Sequence, residues 1–521
     1  MRLRTALLAF TLLAGSTAAC AQTVAPTAVV AAAAPIDRHA LVTRHNVTLT
    51  AIDRHAPIML GNGDLGFTAD ITGLQTFPEQ YSELSPLLTM AQWAWHSFPN
   101  PHGYTEQDGL IDVPVPGRGE QPYAWMKSWS VAETQPAYTW LRANPHRFSL
   151  SRIGLTFGDG TALDFAKIAD TRQTLDLWSG ALTSRFTYDG QSVEIVTRVH
   201  PTLDMVMVEI ASPLVAANGL GLQVRYPGVN PAINPDPTTF ERDSDQSLNI
   251  VASDTGDVHI RRTLDDTTYY TGITASGKIE QCGPDAFRVG AAGRDRLTVM
   301  VRFDHQEPVE KTPAYSASVQ ATTARWNSFW TQGGAVDFTG STDPRAAELE
   351  RRVVLSQYLS AVNGAGELPP QEEGLFSNSW YGKFHLEMHP WHAGWQAMWG
   401  HPDMLERSLP WYVGNLDNAR AEAARHQVKG AWWPKMGGPE GRNSPSLVSP
   451  FIMWQQPHPI LLAELVWRAD KDPAVLDRYG EVVEATADLL ATWPIERDGR
   501  LNLGTPMIPA QENYDPLTTV K

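Results

Sequence analysis

The chain has 521 residues, 42 % of them hydrophobic, and a formal net charge of −16 at pH 7. So acidic a chain, with no basic run anywhere, excludes a phosphate-backbone partner, and no nucleic acid is expected. Only Cys20 and Cys282 occur, so an exported mature protein would have no internal disulfide and must be stabilised by burial; its length makes two domains the default.

Met1-Arg-Leu-Arg4, an apolar run from Ala6 to Leu13 and small residues ending Ala19-Cys20-Ala21-Gln22 follow the charged, apolar, small-residue order of a secretory signal. Residues 1–21 are therefore expected to direct export, with cleavage after Ala21 and a periplasmic or secreted product. Thr17-Ala-Ala-Cys20 is also an imperfect lipid-attachment box, lacking the leucine usual three residues before the cysteine, so a lipoprotein through Cys20 is the alternative. No later stretch reaches the about 18 apolar residues of a membrane helix, and no span is expected. Residues 22–36, rich in Ala, Val, Pro and Thr, read as a flexible leader.

Residues 37–338 offer short alternating or β-branched runs divided by Gly, Pro, Asn and Asp turns, the pattern of a large β-sandwich. Within them, 192–200 and 204–211 read as a hairpin and 297–303 as a further strand. The texture changes after Trp326 and Trp330, and 339–521 read as helical. A helix is predicted over 344–359 with Asp343 as its N-cap, and another behind Pro473, where Val475, Tyr479, Val482, Thr486, Leu489, Leu490 and Trp493 recur every three or four residues.

Ten of the eighteen tryptophans fall between Trp380 and Trp493, more than core packing alone accounts for, although core packing is the ordinary fate of any single one. Trp391-His392, Trp433-Pro434-Lys435 and Trp454-Gln455-Gln456-Pro457-His458 place polar groups beside an aromatic platform, as a hydroxyl-rich ligand requires. Glu512, in Ile508-Pro-Ala-Gln-Glu-Asn-Tyr-Asp-Pro516, is an acid behind these aromatics, suited to protonating a glycosidic oxygen. His385, His389 and His392 have the spacing of a metal-binding helix face, but Pro390 interrupts such a helix. No metal or cofactor is expected, and hydroxyl contacts or packing are the reading for these rings.

Several blocks, in order, resemble glycoside hydrolase family 65 of the six-hairpin glycosidases, which includes trehalose and maltose phosphorylases and acid trehalases. Leu60-Gly-Asn-Gly-Asp-Leu-Gly-Phe67 is similar to its Gly-Asn-Gly-x-Leu-Gly element, Gly430-Ala-Trp-Trp-Pro-Lys-Met-Gly-Gly-Pro-Glu-Gly-Arg442 to its Gly-Ala-x-aromatic-Pro-Trp block, and 508–515 to its Gly-Pro-Asp-Glu-Tyr-His motif. Gln511 and Asn513 stand where that motif has Asp and Tyr. Tyr381-Gly-Lys-Phe-His-Leu-Glu-Met-His-Pro-Trp391 partly resembles a family 95 block, with Lys383 and His385 in place of the asparagines that prepare its water.

The resemblance implies a multidomain β + α fold, an N-terminal supersandwich followed by an (α/α)6 toroid. The stretch 344–521 is too short for twelve barrel helices, so a toroid truncated at its C-terminus is expected. It further implies an inverting hydrolase of α-linked, gluco-configured di- or oligosaccharides with Glu512 as general acid, its base lying later in the chain. Lys383, His385, Glu387, Trp391, Trp433, Lys435, Gln456 and His458 are the expected substrate contacts, Glu387 alternatively pairing with Lys383. Glu512, Glu387, Trp433 and Gln456 are expected at one cavity near the sandwich. A phosphorylase, or a carbohydrate-binding remnant without turnover, are the alternatives, and the oligomeric state is left between monomer and homodimer.

Overall fold

The computed structural model describes residues 35–230, 233, 235–241, 245–291, 293–510, 512 and 515–518. The expected signal and most of the expected leader lie outside the described residues, as do Gln511, Asn513 and Tyr514. No helix among the described residues is long and apolar enough to cross a membrane.

The first part is β-rich. Nine antiparallel strands form its main sheet, and the predicted hairpin sits at the centre: Gln191–Val199 pairs with Met205–Ala211, which pairs in turn with Arg296–Asp304. Val193, Ile195, Thr197 and Val199 turn inward at every second position, the period that one buried sheet face demands. Two four-stranded sheets, one containing Ile58–Gly61 and Leu65–Ala69 and the other Gly221–Arg225 and Ala286–Gly290, share one apolar core with the large sheet. These layers constitute a sandwich.

Two features depart from a plain sandwich over 37–338. Helix Tyr315–Thr331 lies within that range. Its Trp326 stacks on Tyr358 at 4.8 Å and its Trp330 donates to the Leu177 carbonyl at 2.6 Å, so its aromatic face covers the sandwich core. Residues 97–145 also leave the sheets. Their hairpin, Ile111–Val115 with Gly119–Tyr123, buries Val113, Val115 and Tyr123 in one cluster with Trp432, Phe451 and Leu489 of the later, mainly helical part. Alternation alone could not reveal this, because a hairpin reads the same whichever body it packs on.

Helices predominate after Asp343. The predicted helices appear as Ala346–Asn363 and Ala474–Thr492; Asp343 sits just ahead of the first, its carboxylate accepting the Arg345 amide at 2.9 Å. Between them run shorter helices, including His389–Met398 and His458–Asp470, and one minimal strand pair; a second pair follows Thr492.

The Gly-Asn-Gly turn joins the two parts. Asn62 Oδ1 accepts the amides of Asp64 and Leu65, while its Nδ2 donates to the His200 carbonyl. Asp64 pairs with Arg407 and accepts the Glu367 amide. Gly63, at φ 99°, has the Ala365 carbonyl where a Cβ would stand, so a side chain there would push the helical part away.

Candidate active site

Strands Phe384–His385 and Met436–Gly437 pair antiparallel, with His385 opposite Met436. Leu386 extends the contact by donating its amide to the Lys435 carbonyl at 2.9 Å. This short ladder brings Lys435 beside His385 and Glu387. Lys435 Nζ lies 2.8 Å from Glu387 Oε1, 2.9 Å from Glu512 Oε1 and 3.2 Å from His385 Nδ1. The chain carrying Glu512 is docked by Ile508, which bridges Ile452 and exchanges main-chain bonds with Phe451 and Met453.

Lys435 and Glu387 are 5 % and 4 % exposed. Burial opposes the Glu387 charge, but the His385 hydrogen bond and the Lys435 ammonium outweigh it and hold the carboxyl below the usual range. For Lys435, burial is likewise outweighed, by the charges of Glu387 and then Glu512, and its ammonium is held above the usual value. The cluster is therefore an ionised Glu387–Lys435 pair with the more exposed Glu512 as its third member.

Lys435, His385 and Glu512 line a cavity of about 250 Å³, and Glu387 stands behind its wall. Lys435, His385, Glu372 and Glu512 are polar members of its lining, and Trp129 and Trp380, with the Arg142 guanidinium, are its aromatic members. The Arg142 guanidinium lies 4.9 Å from the Trp129 ring and 5.3 Å from that of Trp380, a cation between two indoles. Trp380 and Tyr381 both adopt left-handed backbone, at φ 53° and 62°. Such strain in bulky residues persists only where the surroundings impose it, and it is concentrated at functional sites. A larger depression, about 650 Å³, lies on the sandwich beside Phe157 and Arg288. Its Lys278 and Glu280 are exposed and pair with each other, so no buried charge converges there.

The structure brings together Glu512, Glu387, His385 and Lys435 and places the other candidates elsewhere. Glu387 pairs with Lys435 and not with Lys383. Lys383 is fully buried and donates to the Asn144 carbonyl at 3.1 Å, tying residues 97–145 to the helical part. Trp433, 1 % exposed, packs edge-on to Tyr412 at 5.0 Å and donates to Thr486. Gln456 brackets the Trp433 main chain, accepting its amide and donating to its carbonyl, each at 2.9 Å. Trp433 and Gln456 thus stand behind the Lys435 strand, away from the cavity wall, because a hydrophobic indole and a saturated amide are both served by the core. His458 donates from Nδ1 to the Leu386 carbonyl at 3.0 Å and supports the other strand. Trp391 is 65 % exposed and meets Trp454 edge-on at 6.5 Å.

The three histidines do not share a helix face. His385 is on a strand, and the helix opens at His389 with Pro390 in its first turn, where no amide is needed. Both His389 ring nitrogens are occupied, by Tyr412 and Ser408.

Sequence reasoning missed Trp129, Arg142, Trp380 and Glu372. The first two belong to a segment assigned to the sandwich. The last two flank Gly374-Leu375-Phe376-Ser377-Asn378-Ser379, and the pairing of an acidic doublet with a Trp-Tyr-Gly turn was the available signal.

No protein-family model matches the sequence, and no curated protein does. Among solved structures, a protein from the human microbiome assigned as a kojibiose phosphorylase aligns over 89 % of this chain with 11 % identity and a TM-score of 0.61. The alignment covers 61 % of that chain, so this sequence spans less than two thirds of its length. A bacterial glucoamylase solved with acarbose aligns with 11 % identity over 86 % of this chain and 61 % of its own, at a TM-score of 0.42. A GH92 α-mannosidase from Bacteroides thetaiotaomicron aligns with 9 % identity over 65 % and 48 %, at 0.33. The first of these shows a shared fold, in keeping with the family 65 resemblance.

Proposed function

We propose that the protein is an exported, inverting glycoside hydrolase of α-linked, gluco-configured di- or oligosaccharides, with Glu512 as general acid. The observation that carries this reading is the meeting of Glu512 with buried Lys435 and Glu387 at a cavity walled by two exposed tryptophans. In the protonated form that starts the cycle, Glu512 gives its proton to the leaving-group oxygen as the glycosidic bond breaks, and the ion pair with the Lys435 ammonium at 2.9 Å is the state left behind. Trp129 and Trp380, 49 % and 38 % exposed, offer faces on which a sugar ring stacks. Glu387, held by His385 and Lys435, keeps that ammonium in place.

A phosphorylase is the second reading. The solved structure sharing the fold at a TM-score of 0.61 bears that assignment, and Lys435 and Arg142 give the cavity two cations. Hydrolysis is favoured because sugar phosphates made outside a cytoplasmic membrane are not readily retained, and the N-terminal sequence reads as an export signal.

The deciding experiment incubates the full chain with α-linked glucose disaccharides, with and without inorganic phosphate, and follows products by proton NMR. Release of β-glucose without phosphate supports the proposal. Turnover that requires phosphate and yields a sugar phosphate replaces it with the second reading, and binding without turnover identifies a carbohydrate-binding protein.

A further inference from the structure

The cavity contains a cation to which the hydrolytic mechanism gives no part. Arg142 lines it, yet the residue is only 4 % exposed. A guanidinium so deeply buried is ordinarily matched by a carboxylate, as Arg262 is by Asp285 and Arg302 by Asp304. Among the described residues no carboxylate pairs with Arg142. Burial holds it below the usual arginine value, and only Tyr381 acts in the other direction.

Its contacts anchor the side chain without neutralising it. Nη1 donates to the Pro445 carbonyl at 2.8 Å and lies 3.6 Å from the Met126 sulfur, while the Trp129 and Trp380 rings flank the guanidinium. Nη2 donates to no described residue. Arg147, another buried guanidinium held by carbonyls, those of Ala91 and Gly382, is sealed in the interior with no exposed surface. Arg142 differs in facing a cavity, where a ligand can supply the missing charge.

The rest of the lining limits that ligand. Lys435 is committed to Glu387 and Glu512, and Glu372 and Glu512 bring carboxylates to the same cavity. One unmatched cation suits one negative charge, whereas a phosphate dianion would carry a second charge into the repulsion of those carboxylates. A sugar ring that bears a carboxylate meets both demands, since the charge pairs with the guanidinium and the ring stacks on an indole.

Resting on the reading of the protein as a glycoside hydrolase, we propose that its substrates are acidic α-linked oligosaccharides containing a uronic acid, and that Arg142 is the specificity-determining residue that binds the sugar carboxylate through Nη2. Glucuronic acid keeps the gluco configuration and differs from glucose in the carboxylate at C6, so the class narrows the one proposed above.

The test reads binding apart from turnover. The full chain at pH 7, in phosphate-free buffer, is titrated with methyl α-glucuronide, with the methyl ester of that glucuronide, with methyl α-glucoside and with inorganic phosphate, and tryptophan fluorescence is followed. The glucuronide is expected to bind about tenfold or more tightly than its uncharged ester and the glucoside, as a charge-assisted contact warrants. Arg142→Gln should lose that preference, and Arg142→Lys, which keeps the charge, should retain part of it. Equal binding of glucuronide and ester by the wild type overturns the proposal, whether or not the variants fold. Phosphate that binds as tightly as the glucuronide and competes with it assigns Arg142 to a free oxyanion and overturns it too. Turnover is scored separately, and kcat/KM for an α-glucuronyl disaccharide should exceed that for its glucosyl counterpart by about the same factor of ten. Preference in binding with no cleavage of either upholds Arg142 and removes the hydrolytic reading; cleavage of the glucosyl disaccharide with no preference does the reverse.

Discussion

Lys435 holds Glu512 by a 2.9 Å ion pair even though the lysine side chain is 6 % exposed and the glutamate 54 %. One end of the contact is set rigidly in a strand pair, and the other arrives on a stretch tied to the 451–453 turn by Ile508. The position of the proposed acid is thus set by the buried partner. Lys435 in turn depends on Glu387, 2.8 Å away, to balance its charge.

Replacing Glu512 with Gln should lower disaccharide cleavage by about 10²–10⁴ with binding largely kept, since the amide is nearly isosteric but has no catalytic proton to give. An aryl glycoside with a good leaving group should lose much less, because its departure needs little protonation. Steady-state kinetics on the two substrates, with binding measured by calorimetry, provides the check. Near wild-type cleavage of the disaccharide would remove Glu512 from the mechanism.

Lys435→Met should be destabilising by about 3 kcal/mol or more, because it leaves the Glu387 carboxylate buried without its cation. Pairing it with Glu387→Gln should recover much of that stability by removing the orphaned charge, yet leave activity low. Urea unfolding of the two single variants and the double variant measures the coupling. Additive losses would mean that the 2.8 Å contact contributes little.

Part of the candidate site was legible because motif order and residue type carry it: Glu512, Lys435, Glu387 and His385, which the structure brings together, were each singled out in the sequence. Trp433 and Gln456 were not separable from them by sequence. A tryptophan beside polar residues has the same local pattern whether it faces a cavity or, as here, has its main chain bracketed by a glutamine and its indole held by Thr486. Lys383 shows the same ambiguity, since a lysine next to an apolar strand reveals nothing of the Asn144 carbonyl it meets. The wall built by Trp129 and Arg142 depends on residues 97–145 crossing from one body to the other. That is a tertiary choice, made by the burial of Val113, Val115 and Tyr123 in one cluster with the later, mainly helical part, and strand periodicity does not encode it.

Trp380→Ala should raise KM by about tenfold, the equivalent of one lost stacking contact of about 1.4 kcal/mol, with a smaller change in kcat. Its ring flanks Arg142 at the cavity. Trp380→Gly should have the same kinetic effect but a higher melting temperature than the alanine variant, because glycine accepts φ 53° without strain. Equal KM values in wild type and variant would exclude Trp380 from the binding surface.

Acid should destabilise the fold through its buried neutral histidines. Burial, and then the nearby His392 and His458, push His389 down to about 3, and burial with the neighbouring His96 does the same to His146. In the unfolded chain each returns to about 6.5. Between those values the unfolded state binds more protons than the folded one, so stability rises with pH across the window and is lost as pH falls from about 6.5 toward 3. His389→Gln retains a group able to meet Tyr412 and Ser408 and cannot take up a proton. It should therefore start from a lower stability at pH 7 and lose less between pH 7 and 5 than the wild type, as read by urea unfolding at the two pH values. Parallel losses in both proteins would show that His389 is not a source of the acid sensitivity.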